Sequence, residues 1–291
     1  RPGQTGLSII IVALNRGTRA FIWAVLATSL LGLFASIREG EAIKRAASKR
    51  NLDAMSKRAL SDAVSEMESA TEKVFSTAGA SKPNPSTTNK PKDEQSDGVA
   101  EVQAISTVIQ EVSADAIRAR KGYEQALDEA GIGKLLDADR IAADTNFTDT
   151  LAILMKVRPV IAENRRLTEK RMAGLPERFE KFNFSSSTKQ RMADGLQKGV
   201  QESTPLMREG LDLEDKVFEL FEKIIDHLMT TKGRWKPAGG LFMFYEDQDL
   251  EKFTSLMQQI QNCVARQEKI QKESANQTAE KFQELRDLLQ K

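Results

Sequence analysis

His227 and Cys263 are the only histidine and the only cysteine in the chain. One of each cannot build a His/Cys metal cluster, and a histidine-based acid–base pair would have to use His227 alone. His227 lies next to Asp226 in sequence but on a different helical face, so the pattern reads it as a boundary residue rather than a catalytic one. Asp137, Asp139, Asp144 and Asp149 supply the oxygen ligands calcium favours, but without the loop spacing and glycine of a calcium site; capping and solvation account for them better. Gly131-Ile-Gly133 follows no strand and precedes no Gly-Lys-Ser, so it is not a phosphate loop. Asn146-Phe-Thr148, Asn183-Phe-Ser185 and Asn276-Gln-Thr278 match the glycosylation triplet, which short sequences produce by chance. The expectation is a non-enzyme with no catalytic residue, no cofactor-binding residue and no metal ligand.

The elements around these residues are organised by one stretch, Ala20 to Ile37, with 18 uncharged residues between Arg19 and Arg38. As a helix it spans roughly 27 Å, close to the hydrocarbon core of a bilayer. A helix satisfies its own backbone polar groups, so lipid can accept it. Ala20, Phe21, Trp23, Leu26, Leu30, Leu33 and Ile37 are the expected anchor residues, within a transmembrane helix at 19–38 that follows a tail at 1–18. A cleaved signal peptide is the alternative, but Arg38 and Glu39 intrude just before the small residues Gly40-Glu41-Ala42. A count of Lys and Arg favours the C-terminal side as cytoplasmic, but long domains translocate largely regardless of charge, so the orientation is near even.

With 43 basic and 42 acidic residues the chain lacks the basic excess of a general nucleic-acid binder. A single cysteine excludes an intramolecular disulfide framework. Few aromatics and prolines beside abundant Ala, Leu, Glu, Lys and Gln make a helical composition. Residues 39–78 read as a helical stalk: Leu52, Met55, Ala59, Ala63, Met67, Ala70 and Val74 recur at spacings of three and four. The stalk docks on the rest of the chain or pairs with a second copy as a coiled coil, and the scarcity of Leu/Ile heptads favours docking. Residues 79–98, with three prolines and no large apolar side chain, read as a disordered linker.

A bundle of long helices is expected over 99–291. The first runs from Val99 to Ala130 and is stopped by Gly131-Ile-Gly133. A connector at Leu135–Ala143 leads to a helix from about Asp144 to Ala173 that turns Leu151, Leu154, Met155, Ile161 and Leu167 inward, with a kink at Pro159. Pro176 to Phe182 is a short helix. Ser187 with Gln190 is placed for a capping box on a helix from about Thr188 to Thr231, bent at Pro205. Its apolar face holds Leu206, Leu213, Val217, Leu220, Phe221, Ile224 and Leu228. The last helix, from about Asp249 to Leu289 and capped by Asp247, turns Leu250, Phe253, Leu256, Ile260, Cys263, Ile270, Phe282 and Leu285 inward.

Between these two helices Pro237-Ala-Gly-Gly240 is turn chemistry and Leu241 to Tyr245 has strand composition, so a small hairpin is expected. Its aromatics read first as a plug over one end of the bundle. The functional alternative is a partner surface formed by Trp235, Phe242, Phe244 and Tyr245. Leu213-Glu214, Leu228, Gly233-Arg-Trp235, Leu241-Phe242-Met243-Phe244, Leu250, Phe253, Leu256 and Ile260 give the last third of the chain a further property. This run resembles helical envelope proteins of bacteria, of unknown function, that stand behind an N-terminal membrane anchor or lipoprotein signal. No cysteine lies near the apolar stretch, so only the anchored version applies. The resemblance implies an envelope location, with a periplasmic domain, and no known catalysis.

The expected architecture is all-α: a single transmembrane helix, a helical stalk and a long-helix bundle with a small aromatic hairpin-like loop. The expected function is a membrane-tethered, non-catalytic interaction or scaffold protein of the bacterial inner membrane. Its partners are the bilayer and another protein or a second copy, not nucleic acid. A ligand-sensing bundle and an enzyme whose carboxylates meet only in the fold are the alternatives.

Overall fold

A computed structural model describes most residues between 61 and 69, residues 97–181 and residues 186–290. The expected tail, membrane helix, most of the stalk and the linker up to 96 lie outside the described residues. Among the described residues, no helix is long and apolar enough to cross a membrane. The helices are α1 (Asp97–Ala130), α2 (Ala138–Ala143), α3 (Thr148–Ala173), α4 (Leu175–Glu180), α5 (Ser186–Thr230) and α6 (Asp247–Gln290), with a 3-10 turn at Ile132–Lys134. A two-stranded antiparallel sheet, β1 (Trp235–Ala238) and β2 (Leu241–Phe244), stands between α5 and α6. The described residues are thus mostly helical with one small sheet.

The described residues fall into two compact units. One holds Arg118–Lys170 and Leu206–Gln271, and with them the hairpin. Here α1 ends because Gly131 takes a left-handed φ of +89°, a conformation that costs glycine nothing. Asp137 caps α2 by accepting from Arg140 N at 3.0 Å. Asp144 accepts from the backbone N and the hydroxyl of Thr150, both at 2.8 Å, so α3 begins only at Thr148. Burial works to raise the Asp144 carboxyl, but the Thr150 hydrogen bonds outweigh it and hold its pKa below the ordinary range. These two aspartates are caps, as their spacing suggested.

The core of this unit follows stripes that mix apolar and polar residues. On α3 the buried positions are Thr150, Leu154, Val157, Ile161, Asn164 and Thr168, spaced four, three, four, three and four. Leu151 and Met155 sit one position off this stripe, so both are exposed, not inward as expected, Met155 at 78%. Leu167 is half-buried. On α6 the stripe runs through Asp249, Phe253, Leu256, Ile260, Val264 and Gln267, which leaves Leu250 exposed rather than buried. On α5, Met207, Leu211, Glu214, Val217, Phe218, Ile224, Ile225 and Leu228 are buried, a broader face than the apolar spacing indicated.

The other unit holds the described residues up to Ile117, Arg171–Pro205 and those from Lys272 onward. Val108, Val112, Ala116, Met172 and Leu175 are buried in it, and Asp115 pairs with Arg178 at 2.5 Å. The residues described between 61 and 69 are helical; Val64, beside the expected stripe rather than on it, is buried. Gln110 donates to Glu66 at 2.9 Å. Gln190 donates to Asp194 one turn on, instead of reaching back to Ser187 as a capping box requires. Ser203 and Thr204 donate to the carbonyls of Gly199 and Val200, so side chains supply hydrogen bonds just before Pro205, which lacks a backbone N–H.

Candidate functional site

The hairpin forms where the turn chemistry places it. Gly239 and Gly240 have φ of +61° and +76°, the pair of positive angles that a type I′ two-residue turn demands. Trp235 faces Phe244, Lys236 faces Met243, Pro237 faces Phe242 and Ala238 faces Leu241. Next to a two-residue turn, the pair closing the loop is hydrogen-bonded and the following one is not, so Pro237 loses nothing by lacking an N–H. Tyr245 N donates to the Arg234 carbonyl at 2.9 Å, in phase with that alternation.

Alternation then sorts the aromatics. Trp235, Pro237, Phe242 and Phe244 share the inner face; Lys236, Met243 and Tyr245 share the outer one. Trp235 and Phe242 are 8% and 9% exposed and meet edge to face at 5.1 Å between centroids. Phe253 of α6 lies 5.5 Å from Phe242 and 5.3 Å from Phe244. The Trp235 indole N–H donates to the Leu228 carbonyl at 2.9 Å, at the end of α5. Helix α2 packs on both strands. Of the four residues proposed as a partner surface, Trp235 and Phe242 are therefore buried, Phe244 is half-buried and Tyr245 is 61% exposed. Met243, 44% exposed, joins Tyr245 on the outer face, and the Lys236 ammonium lies 5.9 Å from the Tyr245 ring centroid.

His227 belongs to the inner cluster, a correction to its reading as a boundary residue. It is 3% exposed and stacks on Phe244 at 5.8 Å. Its Nε2 is 2.9 Å from the Asp249 carbonyl, which can only accept, so Nε2 carries the hydrogen and donates. The apolar face of α5 is wide enough to include position 227. Arg234 Nε lies 3.3 Å from Asp249 Oδ2, and its Nη1 is 3.1 Å from Glu246. His227 is thus tied to backbone and ring, and among the described residues no hydrogen bond joins it to a carboxylate as a catalytic dyad needs.

A second polar cluster lies in the same unit. Glu214 is 3% exposed, and the Tyr123 hydroxyl donates to its Oε1 at 2.5 Å. Asn164, 5% exposed, lies beside it, yet Asn164 Nδ2 and Glu214 Oε2 have no hydrogen-bond partner. Burial raises the Glu214 carboxyl from 4.5 to about 8; the Tyr123 hydrogen bond only partly offsets that, and Asp215 adds to the rise. Nothing in the sequence marks Glu214 except its spacing, three after Leu211 and three before Val217. Thr168 and Gln267 are also fully buried on the core stripes. Glu214 and Asp249, the buried carboxylates among the described residues, thus belong to separate clusters, one hydrogen-bonded to Tyr123 and the other ion-paired with Arg234. Cys263 is half-buried, and burial pushes its thiol up, away from the reactive thiolate. Among the described residues, no group of three or more His, Cys, Asp and Glu side chains is placed to hold a metal ion.

Compared with protein-family models, with curated proteins and with solved structures, the chain gives no match.

Proposed function

We infer that the chain is a membrane-tethered, non-catalytic interaction protein of the bacterial envelope that meets its partner with the outer face of the hairpin. The uncharged span Ala20 to Ile37 and the resemblance of the last third to anchored envelope proteins support the tether and the periplasmic side. The observation that carries the interaction is the division of the hairpin into two faces. One holds Trp235, Phe242 and Phe244 against Phe253, while the other leaves Met243 and Tyr245 exposed beside Lys236. Such a hairpin is anchored through its inner face and still offers a methionine and a tyrosine, residue types enriched at protein interfaces. The separation of Glu214 from Asp249 and the backbone role of His227 support a non-catalytic reading.

Site-specific photocrosslinking in intact cells tests this. A photoreactive side chain at Tyr245 should give one discrete adduct, either with a second copy or with another protein. Met243→Ser should abolish the adduct, and the same group at exposed Glu163 on α3 should give none. Equal labelling from both positions, or none from Tyr245, would remove the hairpin from the interface.

A further inference from the structure

We propose that the Tyr123–Glu214–Asn164 cluster is a proton-operated latch, in which Glu214 sits between α1, α3 and α5 as a neutral acid and loss of its proton loosens these helices. The geometry supplies one donor and no cation reserved for a carboxylate. Tyr123 on α1 donates to Oε1 at 2.5 Å. Asn164 on α3 stands beside the carboxyl and favours its ionised form less than Tyr123 does, although neither its Nδ2 nor Oε2 completes a hydrogen bond. Arg165, the cation acting on Glu214 among the described residues, is shared among Asp212 at 2.8 Å, Asp215 at 2.5 Å and Glu169 at 3.5 Å. Asp215, next to Glu214 on α5, adds a repelling charge. From α6, around the Arg266–Glu209 pair, the buried residues are Ile260, Val264 and the polar Gln267, with half-buried Cys263 between the first two.

A neutral acid suits this setting. With the proton on Oε2, the carboxyl accepts from Tyr123 through Oε1 and donates to the Asn164 amide oxygen once that amide turns over, an orientation that hydrogen bonding decides. A carboxylate at the same place would keep the Tyr123 bond but lie buried opposite no unshared cation, which is costly. The folded group holds its proton up to about pH 8, whereas the unfolded chain releases it near 4.5. Between those values the folded state binds more protons than the unfolded one. The stability contributed by Glu214 is therefore complete below about pH 4.5, declines as pH rises, and is gone above about pH 8. Acidification tightens the bundle and alkalinisation releases it, whichever partner the hairpin takes.

The full-length chain in detergent micelles provides the test. Its unfolding constant, divided by that of Glu214→Gln, should rise about tenfold per pH unit between about pH 5 and about pH 8. A ratio that stays constant over this window would overturn the latch. Should the glutamine variant fail to fold, carbon-13 NMR of the glutamate carboxyls in the unaltered chain decides instead. One resonance should remain at its neutral-acid position at pH 7 and disappear from it in Glu214→Asp or Glu214→Ala. Tyr123→Phe, which removes the stronger of the donors favouring the carboxylate, should move its titration upward. If every glutamate carboxyl titrates near the ordinary value of about 4.3, Glu214 is an ionised residue and the latch does not exist.

Discussion

Trp235 is held by two different forces, an edge-to-face contact with Phe242 and an indole hydrogen bond to the carbonyl of Leu228. Trp235→Ala removes both and leaves a cavity under the hairpin. It should cost about 3–5 kcal/mol and lower Tm by roughly 10 °C. Tyr245→Ala, from the exposed face, should stay within about 0.5 kcal/mol of the unaltered chain. Thermal unfolding of both variants checks the division into faces, since equal losses would mean that Tyr245 is also a structural residue. Trp235 could be read as a plug because its neighbours are turn residues and aromatics. Glu214 could not be read in the same way. It stands in Asp212-Leu213-Glu214-Asp215, a run that looks like a solvated surface, and only the helices closing around it make it a core residue. His227 was misplaced for a related reason: a lone polar residue among apolar ones resembles a boundary until a backbone carbonyl from another helix meets it.

Among the elements, the hairpin depends most on backbone conformation. Gly239 and Gly240 both have positive φ, and a side-chain Cβ at either would meet no atom within 4 Å, so a substitution there is opposed by conformation alone. Gly240→Ala should therefore destabilise the chain by about 1–2 kcal/mol, while Gly239→Asn, which tolerates the left-handed region, should cost less. Chemical denaturation of the two variants gives the comparison, and an Asn substitution costing as much as the Ala one would argue against the type I′ turn. Helix ends were legible to within a few residues because glycine, proline and aspartate have local effects. The inward faces of α3 and α6 were less so. Their stripes pass through Thr150, Asn164, Thr168, Asp249 and Gln267, and a search for apolar periodicity slides one position to Leu151, Met155 and Leu250. Periodicity fixes the pitch of a helix; its phase is uncertain when buried positions are polar.

At the scale of the molecule, the proposed tether and the bundle place opposite demands on solvent. The tether rests on the uncharged span Ala20 to Ile37, long enough for a bilayer core, while the described helices bury apolar stripes and turn charged pairs such as Arg158–Glu222 and Arg165–Asp212 outward. The uncharged length on which the proposed anchor rests is a purely local property of the sequence. The partner, by contrast, depends on which hairpin residues remain exposed after folding. The central claim, that a helical interaction module is held at a membrane, is tested most directly by carbonate extraction of cells expressing the whole chain beside one from which residues 1–38 have been deleted. The account predicts that the whole chain stays in the membrane pellet until detergent is added and that the deleted form is released. Release of the whole chain by carbonate, with a mature N-terminus at about residue 43, would contradict it and make the apolar stretch a cleaved signal peptide.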